Sequence, residues 1–308
     1  MRVAFIGIGT MGSGMALNAL KTGCEMTVHD LRKEAAEPHL AAGAKWADSP
    51  AEAARGADVV FTSLPKPNDV ETVGLGENGL LDAMEKGAAW FDLSTNSPST
   101  LRRVGAKFAE KGIHFLDAPV SGGPAGAQSG KLAIYIGGDS AIYDKHAKLL
   151  QAIGDQAMYV GELTAGTVAK LAHNCASFTL RMVVAEIFTL GVKAGVPPLA
   201  LWHAIRQGAT GRKRTFDMLA DQFLVNKYEP PNFALELALK DMTLAMELAK
   251  EVDVPMHMAD LAYADMNEAV KRGWGRLDSR STMMLQSERA GVHIEESAAD
   301  VQKTLAKG

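Results

Sequence analysis

The chain has 308 residues, 47% of them hydrophobic and 22% charged, with a formal net charge of −4. That length allows two domains with separate cores, and the composition is that of a soluble globular protein. With no basic excess to neutralise phosphates, nucleic acid is not expected as a partner.

The two cysteines, Cys24 and Cys175, form no C-x-x-C pair, so neither a disulfide framework nor a zinc site is expected and no metal is assigned. This usage fits a reducing cytoplasm. The opening apolar run Val3–Ile6 is too short for the core of a secretory signal.

Val3–Ile6 reads instead as a strand, and Gly7-Ile8-Gly9-Thr10-Met11-Gly12 follows at once. Helical spacing then takes over at Met11, Met15, Ala16, Ala19 and Leu20 until Gly23 stops it. A second strand, Glu25–His29, ends at Asp30, 18 residues after Gly12. G-x-G-x-x-G alone is weak evidence, but between a strand and a helix, with an acid at this distance, it points to a dinucleotide site. Glycines let the main chain approach a pyrophosphate, and the helix N-terminus supplies N–H donors and positive dipole. A carboxylate at Asp30 would accept from ribose hydroxyls and repel a 2′-phosphate, which favours NAD over NADP. Arg32 and Lys33 follow closely and would soften that preference.

Alternation continues. A short helix is expected at Ala51–Ala54 behind Ser49-Pro50, and a strand at Ala57–Leu64 ending in Pro65-Lys66-Pro67-Asn68. Short helical pieces follow at Val70–Val73 and Gly79–Met84. A strand at Ala88–Leu93 then ends in Ser94-Thr95-Asn96-Ser97-Pro98, which reads as a helix cap. Helix Leu101–Lys111, strands His114–Ala118 and Leu132–Gly137, and helix Tyr143–Ile153 complete the series. Strands alternating with helices predict an α/β, parallel, doubly wound Rossmann sheet. Ligands bind such sheets beyond the carboxyl ends of the strands, so the loops at Gly7–Gly12, Leu64–Asn68, Ser94–Asn96 and Ser121–Gly123 are expected to face one crevice.

After Gly161 strand signals vanish, and helices are expected over 163–193, 199–208, 213–226, 234–252, 257–272 and 278–289, with a loose polar tail from Ser297. The domain expectation is a dinucleotide-binding domain over 1–161, an interdomain helix over 162–193 and an all-α body over 194–308 that carries substrate and subunit contacts. The long helix is apolar on nearly every side, which implies burial between other structures. Lys170, His173, Asn174, Arg181 and Glu186 interrupt it and argue against a membrane span. Gly166, Lys170 and Asn174 repeat at every fourth residue and share one face, a candidate seat for an acid/base group. The methionines at 242, 246, 256 and 258 read as core or subunit contact.

These residues resemble the β-hydroxyacid dehydrogenases, the family that contains 3-hydroxyisobutyrate dehydrogenase, tartronate semialdehyde reductase and 2-(hydroxymethyl)glutarate dehydrogenase. Four motifs carry the resemblance over nearly the whole chain: Gly7–Gly12 continuing through Met15-Ala16-Leu17-Asn18; Asp117-Ala118-Pro119-Val120-Ser121-Gly122-Gly123 with Gly126, Ala127 and Gly130; Gly166-Thr167-Val168-Ala169-Lys170-Leu171-Ala172-His173-Asn174; and Lys240-Asp241 before Leu244-Ala245.

The resemblance implies NAD(P)-dependent hydride transfer between nicotinamide and a small β-hydroxyacid or its semialdehyde. It implies Lys170 as the catalytic lysine, Asn174 as a substrate-orienting amide, and Ser121, Gly122 and Gly123 as the carboxylate loop. Leu64, Pro65, Asn68, Thr95 and Lys240 match positions that contact the cofactor, and Lys240 is also a candidate to close over substrate. Gly7, Gly9, Thr10, Met11, Gly12 and Asp30 complete the cofactor set. The family assembles as homodimers or homotetramers.

The chemistry fits these residues. Hydride transfer at a carbinol carbon needs a proton partner at the oxygen, and burial lowers a lysine's pKa toward that task. Gly166 is expected to leave room for the nicotinamide. His173 stands where the family commonly has asparagine; it reads as structural, orienting Asn174, with a proton relay as the sharper alternative. The basic stretch Arg212-Lys213-Arg214 reads as a solvated face or as a second anion site. A non-catalytic NAD-binding scaffold and an imine-reductase-like enzyme are the alternative functions; the presence of Lys170 argues against both.

Overall fold

The computed structural model describes residues 1–212, 219–232, 234–236, 238–239, 242–243, 246, 250, 253–291 and 293–306. The chain divides into two compact units, Met1–Ala176 and Ser177–Gly308, and the division falls inside one continuous helix, Ala165–Lys193.

The first unit is a sheet covered on both faces by helices. Its strands are β1 (Arg2–Ile6), β2 (Glu25–His29), β3 (Lys45–Trp46), β4 (Val59–Thr62), β5 (Ala89–Asp92), β6 (His114–Asp117), β7 (Val120–Ser121), β8 (Ala133–Gly137) and β9 (Gln156–Gly161). The order is β3-β2-β1-β4-β5-β6-β8, with β7 and β9 also paired to β8. Alternate residues explain why the strands are apolar throughout. Val3, Phe5, Phe61 and Phe91 pack in one buried cluster and Ala4, Ile6, Val60 and Trp90 in another, one cluster on each face.

Helices α1 (Gly12–Leu20), α2 (Glu37–Ala41), α3 (Pro50–Ala54), α4 (Pro67–Leu75), α5 (Leu80–Ala83), α6 (Pro98–Glu110), α7 (Gly123–Ser129) and α8 (Ser140–Ile153) connect the strands. The expected caps are in place: Ser49 Oγ accepts from Glu52 N and Ser97 Oγ from Thr100 N.

The sheet is mixed, which corrects the expectation of a wholly parallel one. β1 to β6 pair in parallel, but β8 runs antiparallel to both β6 and β7. Residues 117–121 and 133–137 form a broad hairpin, closed by the short helix α7, with Tyr135 N donating to Pro119 O at 3.0 Å. A hairpin needs no crossover, so the chain returns in the opposite direction. The two-residue strands β3 and β7, the helices α2 and α7 and the strand β9 are the elements of this unit that the apolar pattern missed.

Helix α9 (Ala165–Lys193) spans the division between the units. In the second unit, α10 (Pro198–Gln207), α11 (Ala209–Arg212), α12 (His257–Lys271), α13 (Met283–Ala290) and α14 (Ala298–Leu305) are described. The side chain of Glu186 caps α12, accepting from Met258 N at 2.9 Å and Ala259 N at 3.3 Å. Leu190 and Met256 form a small buried cluster against which Met246 packs.

The expected helix over 213–226 begins on residues outside the described set, and its described part, 219–226, is a run of turns with Asn226 at φ +48°. The helix expected over 234–252 falls partly outside the described residues. The tail is not loose: Ser297 Oγ accepts from Asp300 N, α14 follows, and Val301 is buried. Among the described residues no helix is long and apolar enough to cross a membrane.

Candidate active site

A cavity of about 900 Å³ opens at the carboxyl ends of β1, β2 and β4. Gly7, Gly9, Thr10, Met11 and Gly12 line one side, Asp30, Leu31 and Arg32 another, and Leu64, Pro65 and Lys66 a third. A Cβ placed on Gly12 would lie 1.8 Å from Gly7 O, so the turn closes only with glycine there. Asp30 ties this wall together: Oδ2 accepts from Ile8 N and Oδ1 from Arg32 N, each at 3.0 Å. Carboxylate oxygens keep further lone pairs, so capacity remains for ligand hydroxyls. The Arg32 guanidinium is exposed and stands 3.9 Å from Asp30. Lys33 lies over the Trp46 ring instead of facing Asp30.

Thr72, Val73, Glu77 and Asn78 also line the cavity. They follow β4 on and after α4, and no motif announces them. Asn68 and Thr95 are exposed and lie outside the cavity lining.

Behind the loops sits a buried network that sequence reasoning missed. Asp92, at the end of β5, accepts from Thr62 Oγ1 at 2.8 Å, Ser94 N at 3.1 Å and Asn96 Nδ2 at 3.0 Å. Ser94 Oγ in turn accepts from Leu64 N at 2.9 Å. Burial pushes the Asp92 carboxyl above the usual carboxylate range, and these hydrogen bonds pull the other way. The network holds the loops after β4 and β5 in one arrangement. The only sequence signal for it is an acid that ends an otherwise apolar strand.

The start of α9 is seated with equal definition. Asp117, buried at the end of β6, accepts from Thr164 N at 2.7 Å and from Thr167 N at 2.6 Å. Its carboxyl thereby satisfies two first-turn donors of the helix. Burial raises its pKa, against these bonds. A Cβ on Gly166 would lie 2.1 Å from Tyr135 O. The space that a side chain at Gly166 would need is taken by β8 main chain, which corrects the idea that it is kept for the nicotinamide.

One turn later Lys170 is only 7% exposed. Among the described residues its ammonium has no carboxylate partner, and burial lowers its pKa. Asn174 shares its face one turn on and is half-buried. His173 reaches across to β7, with Nε2 at 3.1 Å from Ser121 Oγ, so it meets Ser121 instead of orienting Asn174. Gly122 and Gly123 follow, exposed and at φ +137° and +64°. Lys240, Asp241, Lys213 and Arg214 lie outside the described residues. Among the described residues no cluster of three or more His, Cys, Asp or Glu side chains forms a metal site.

Both parts of the chain match known families. Residues 2–161 match the family described as the NAD binding domain of 6-phosphogluconate dehydrogenase, and residues 164–287 match the NAD-binding family of NADP-dependent 3-hydroxyisobutyrate dehydrogenase. The chain is 34% identical over 294 residues to 2-(hydroxymethyl)glutarate dehydrogenase of Eubacterium barkeri, covering 96% of this chain and 97% of that one. This chain belongs to the β-hydroxyacid dehydrogenase family.

The dehydrogenase also resembles the solved structure of Mycobacterium tuberculosis 3-hydroxyisobutyrate dehydrogenase with L-serine, at 28% identity and a TM-score of 0.65, covering 92% of this chain and 98% of that one. An imine reductase from Myxococcus stipitatus with NAD+ matches at a TM-score of 0.78, 21% identity and coverage of 92% and 98%, a likeness of fold alone. This protein is therefore an NAD(P)-dependent oxidoreductase, and the glycine-lined cavity fits the cofactor.

Proposed function

We propose that this dehydrogenase interconverts a small β-hydroxyacid and its semialdehyde, with NAD preferred to NADP and Lys170 as general acid/base. The observation that carries the reading is Lys170 itself: buried, without an acidic partner among the described residues, and on one helix face with Asn174. Burial penalises the ammonium, so neutral amine forms at a lower pH than in a free lysine. In oxidation the neutral amine takes the hydroxyl proton; in reduction the ammonium returns it to the carbonyl oxygen. A nicotinamide cofactor held by the Gly7–Gly12 turn and Asp30 would supply the hydride acceptor or donor.

Ser121, Gly122 and Gly123 offer a hydroxyl and open main-chain donors for the substrate carboxylate, and Asn174 orients the substrate. Lys240 remains a proposed contact to substrate and cofactor from outside the described residues. Asn68 and Thr95 remain proposed cofactor contacts. Asp30, lining the cavity between the glycine loop and Arg32, supports the NAD preference.

The proposed domains are a dinucleotide-binding part over 1–161, the joining helix over 162–193 and a helical substrate and subunit part over 194–308. The working state is a homodimer or homotetramer; the exposed Val168, Leu171, Leu180, Val184 and Ile187 on α9 support it as apolar surface that a second subunit would cover. The cysteine usage supports a cytoplasmic setting.

The test is turnover of a panel of β-hydroxyacids with NAD and NADP by the wild type and by Lys170→Ala. Loss of about 10²–10⁴-fold in kcat with cofactor affinity kept is expected. For oxidation, the wild-type rate rises with pH through a pKa below that of free lysine. An unchanged kcat in the variant overturns the role of Lys170, and a wild type inactive on the whole panel favours a non-catalytic NAD-binding protein.

A further inference from the structure

His173 is the residue in the Gly166–Asn174 motif that the proposed reaction leaves without a task. It sits three residues after Lys170 on α9, half-buried, with its ring centroid 6.2 Å from that of Tyr135 on β8. Its Nε2 lies 3.1 Å from Ser121 Oγ. Both partners are held from behind. Ser121 pairs with Ala133 in the β7–β8 ladder, and Asp117, four residues earlier on the same hairpin, binds the first turn of α9. The hairpin therefore grips the helix at two points, which sets the distance between the imidazole and the hydroxyl.

A serine hydroxyl has one proton. If Nε2 accepts that proton, lone pairs on Oγ are left facing the ligand, and they repel a carboxylate. If Nε2 carries a proton and donates it to Oγ, the hydroxyl proton is free to point outward. An anion selects the second arrangement, because a hydrogen bond to a charged oxygen is the stronger one.

We propose that His173 is a positioning residue of the carboxylate seat. By donating from Nε2 to Ser121 Oγ it turns the Ser121 hydroxyl into a donor toward the substrate, and so sets a preference for a free acid over its ester. This rests on the reading that the Ser121–Gly123 loop takes the substrate carboxylate. It gives the histidine a task that asparagine can share, since an amide nitrogen also donates, but that an apolar residue cannot.

The experiment compares His173→Leu, His173→Asn, Ser121→Ala and the His173→Leu/Ser121→Ala double variant with the wild type. Each is assayed as holoenzyme on a β-hydroxyacid that the wild type turns over and on its methyl ester. In His173→Leu the hydroxyl keeps its proton but loses its fixed direction, so KM for the acid is expected to rise about 3- to 10-fold, less than in Ser121→Ala, while kcat stays within about threefold. The acid-to-ester ratio of kcat/KM falls part of the way toward the value found in Ser121→Ala, and the double variant is no worse than Ser121→Ala. His173→Asn restores the ratio toward wild type.

A fall in kcat with KM unchanged, losses that multiply in the double variant, or a collapsed ratio in His173→Asn overturns the proposal. The asparagine variant also decides the matter if the leucine variant does not fold. A wild type that turns over no hydroxyacid defeats the underlying substrate reading. An active wild type with multiplying losses defeats only the role of His173.

Discussion

The dinucleotide cavity and the first turns of α9 lie in the same compact unit and are built on opposite principles. The cavity is shaped by main chain: a glycine turn in which Gly7 and Gly12 have no room for a Cβ, an aspartate that binds N–H groups, and loops pinned from behind by Asp92. The α9 face is shaped by side chains, Lys170, His173 and Asn174, and the main chain below it serves to aim them. The difference teaches where each part is vulnerable. Added atoms break the cavity, whereas at α9 the proposed proton transfer depends on side-chain identity and on how the helix is seated.

The most severe test of that contrast is Gly166→Ala, which changes no functional group. Its Cβ would meet Tyr135 O at 2.1 Å, so the helix must shift on the sheet. A displacement near 1 Å is expected to lower kcat/KM about 100-fold, with a lower melting temperature and NAD affinity nearly unchanged. Equal losses in NAD affinity and in turnover would show that the two parts are not separate.

A smaller effect is expected at Asp30. Asp30→Ala removes the acceptor for Ile8 N and Arg32 N as well as the proposed ribose contact. NAD affinity should fall about tenfold and discrimination against NADP should shrink, with kcat at saturating cofactor little changed. Titration of both cofactors measures this. An unaltered NAD-to-NADP ratio would remove Asp30 from the ribose site.

The mildest is a stability effect away from both regions. His146, buried beside Phe91 with neither ring nitrogen partnered among the described residues, has its pKa lowered to about 4, chiefly by burial. A folded-state pKa below the unfolded value near ~6.5 means that stability is fully present above that value and is lost as pH falls toward 4. At pH 5 the loss is on the order of 1–2 kcal/mol. Thermal melts at pH 7.5 and pH 5 should show a smaller gap for His146→Leu than for wild type, with NAD binding the same in both. An equal gap would place the acid sensitivity elsewhere.

Much of the first unit was legible because its signals are local. Apolar runs of four or five residues between glycine and proline punctuation are buried on both faces, so β1, β2, β4 and β5 could be read without knowing their neighbours. The caps at Ser49 and Ser97 are equally local. What escaped has little local signal: β3 and β7 are two residues long, α7 is a glycine-rich turn of helix inside a hairpin, and β9 is an exposed edge strand. The α14 helix escaped because a polar tail looks loose until Val301 is seen to be buried.

The same division runs through the candidate site. By itself the sequence determined the glycine turn with its acid, the loop after β4 as a cavity wall, and the shared face of Gly166, Lys170 and Asn174, because spacing along one strand or one helix dictates which residues are neighbours; the expected loops at Ser94–Asn96 and Ser121–Gly123 do not line that cavity. Only the tertiary structure decided that β8 turns back on β6, that Asp117 and the main chain of Tyr135 seat α9, that Asp92 binds two loops together, and that His173 meets Ser121, 52 positions away. Those contacts join residues whose separation along the chain has no periodicity to read, and they exist only once the hairpin has packed against the helix.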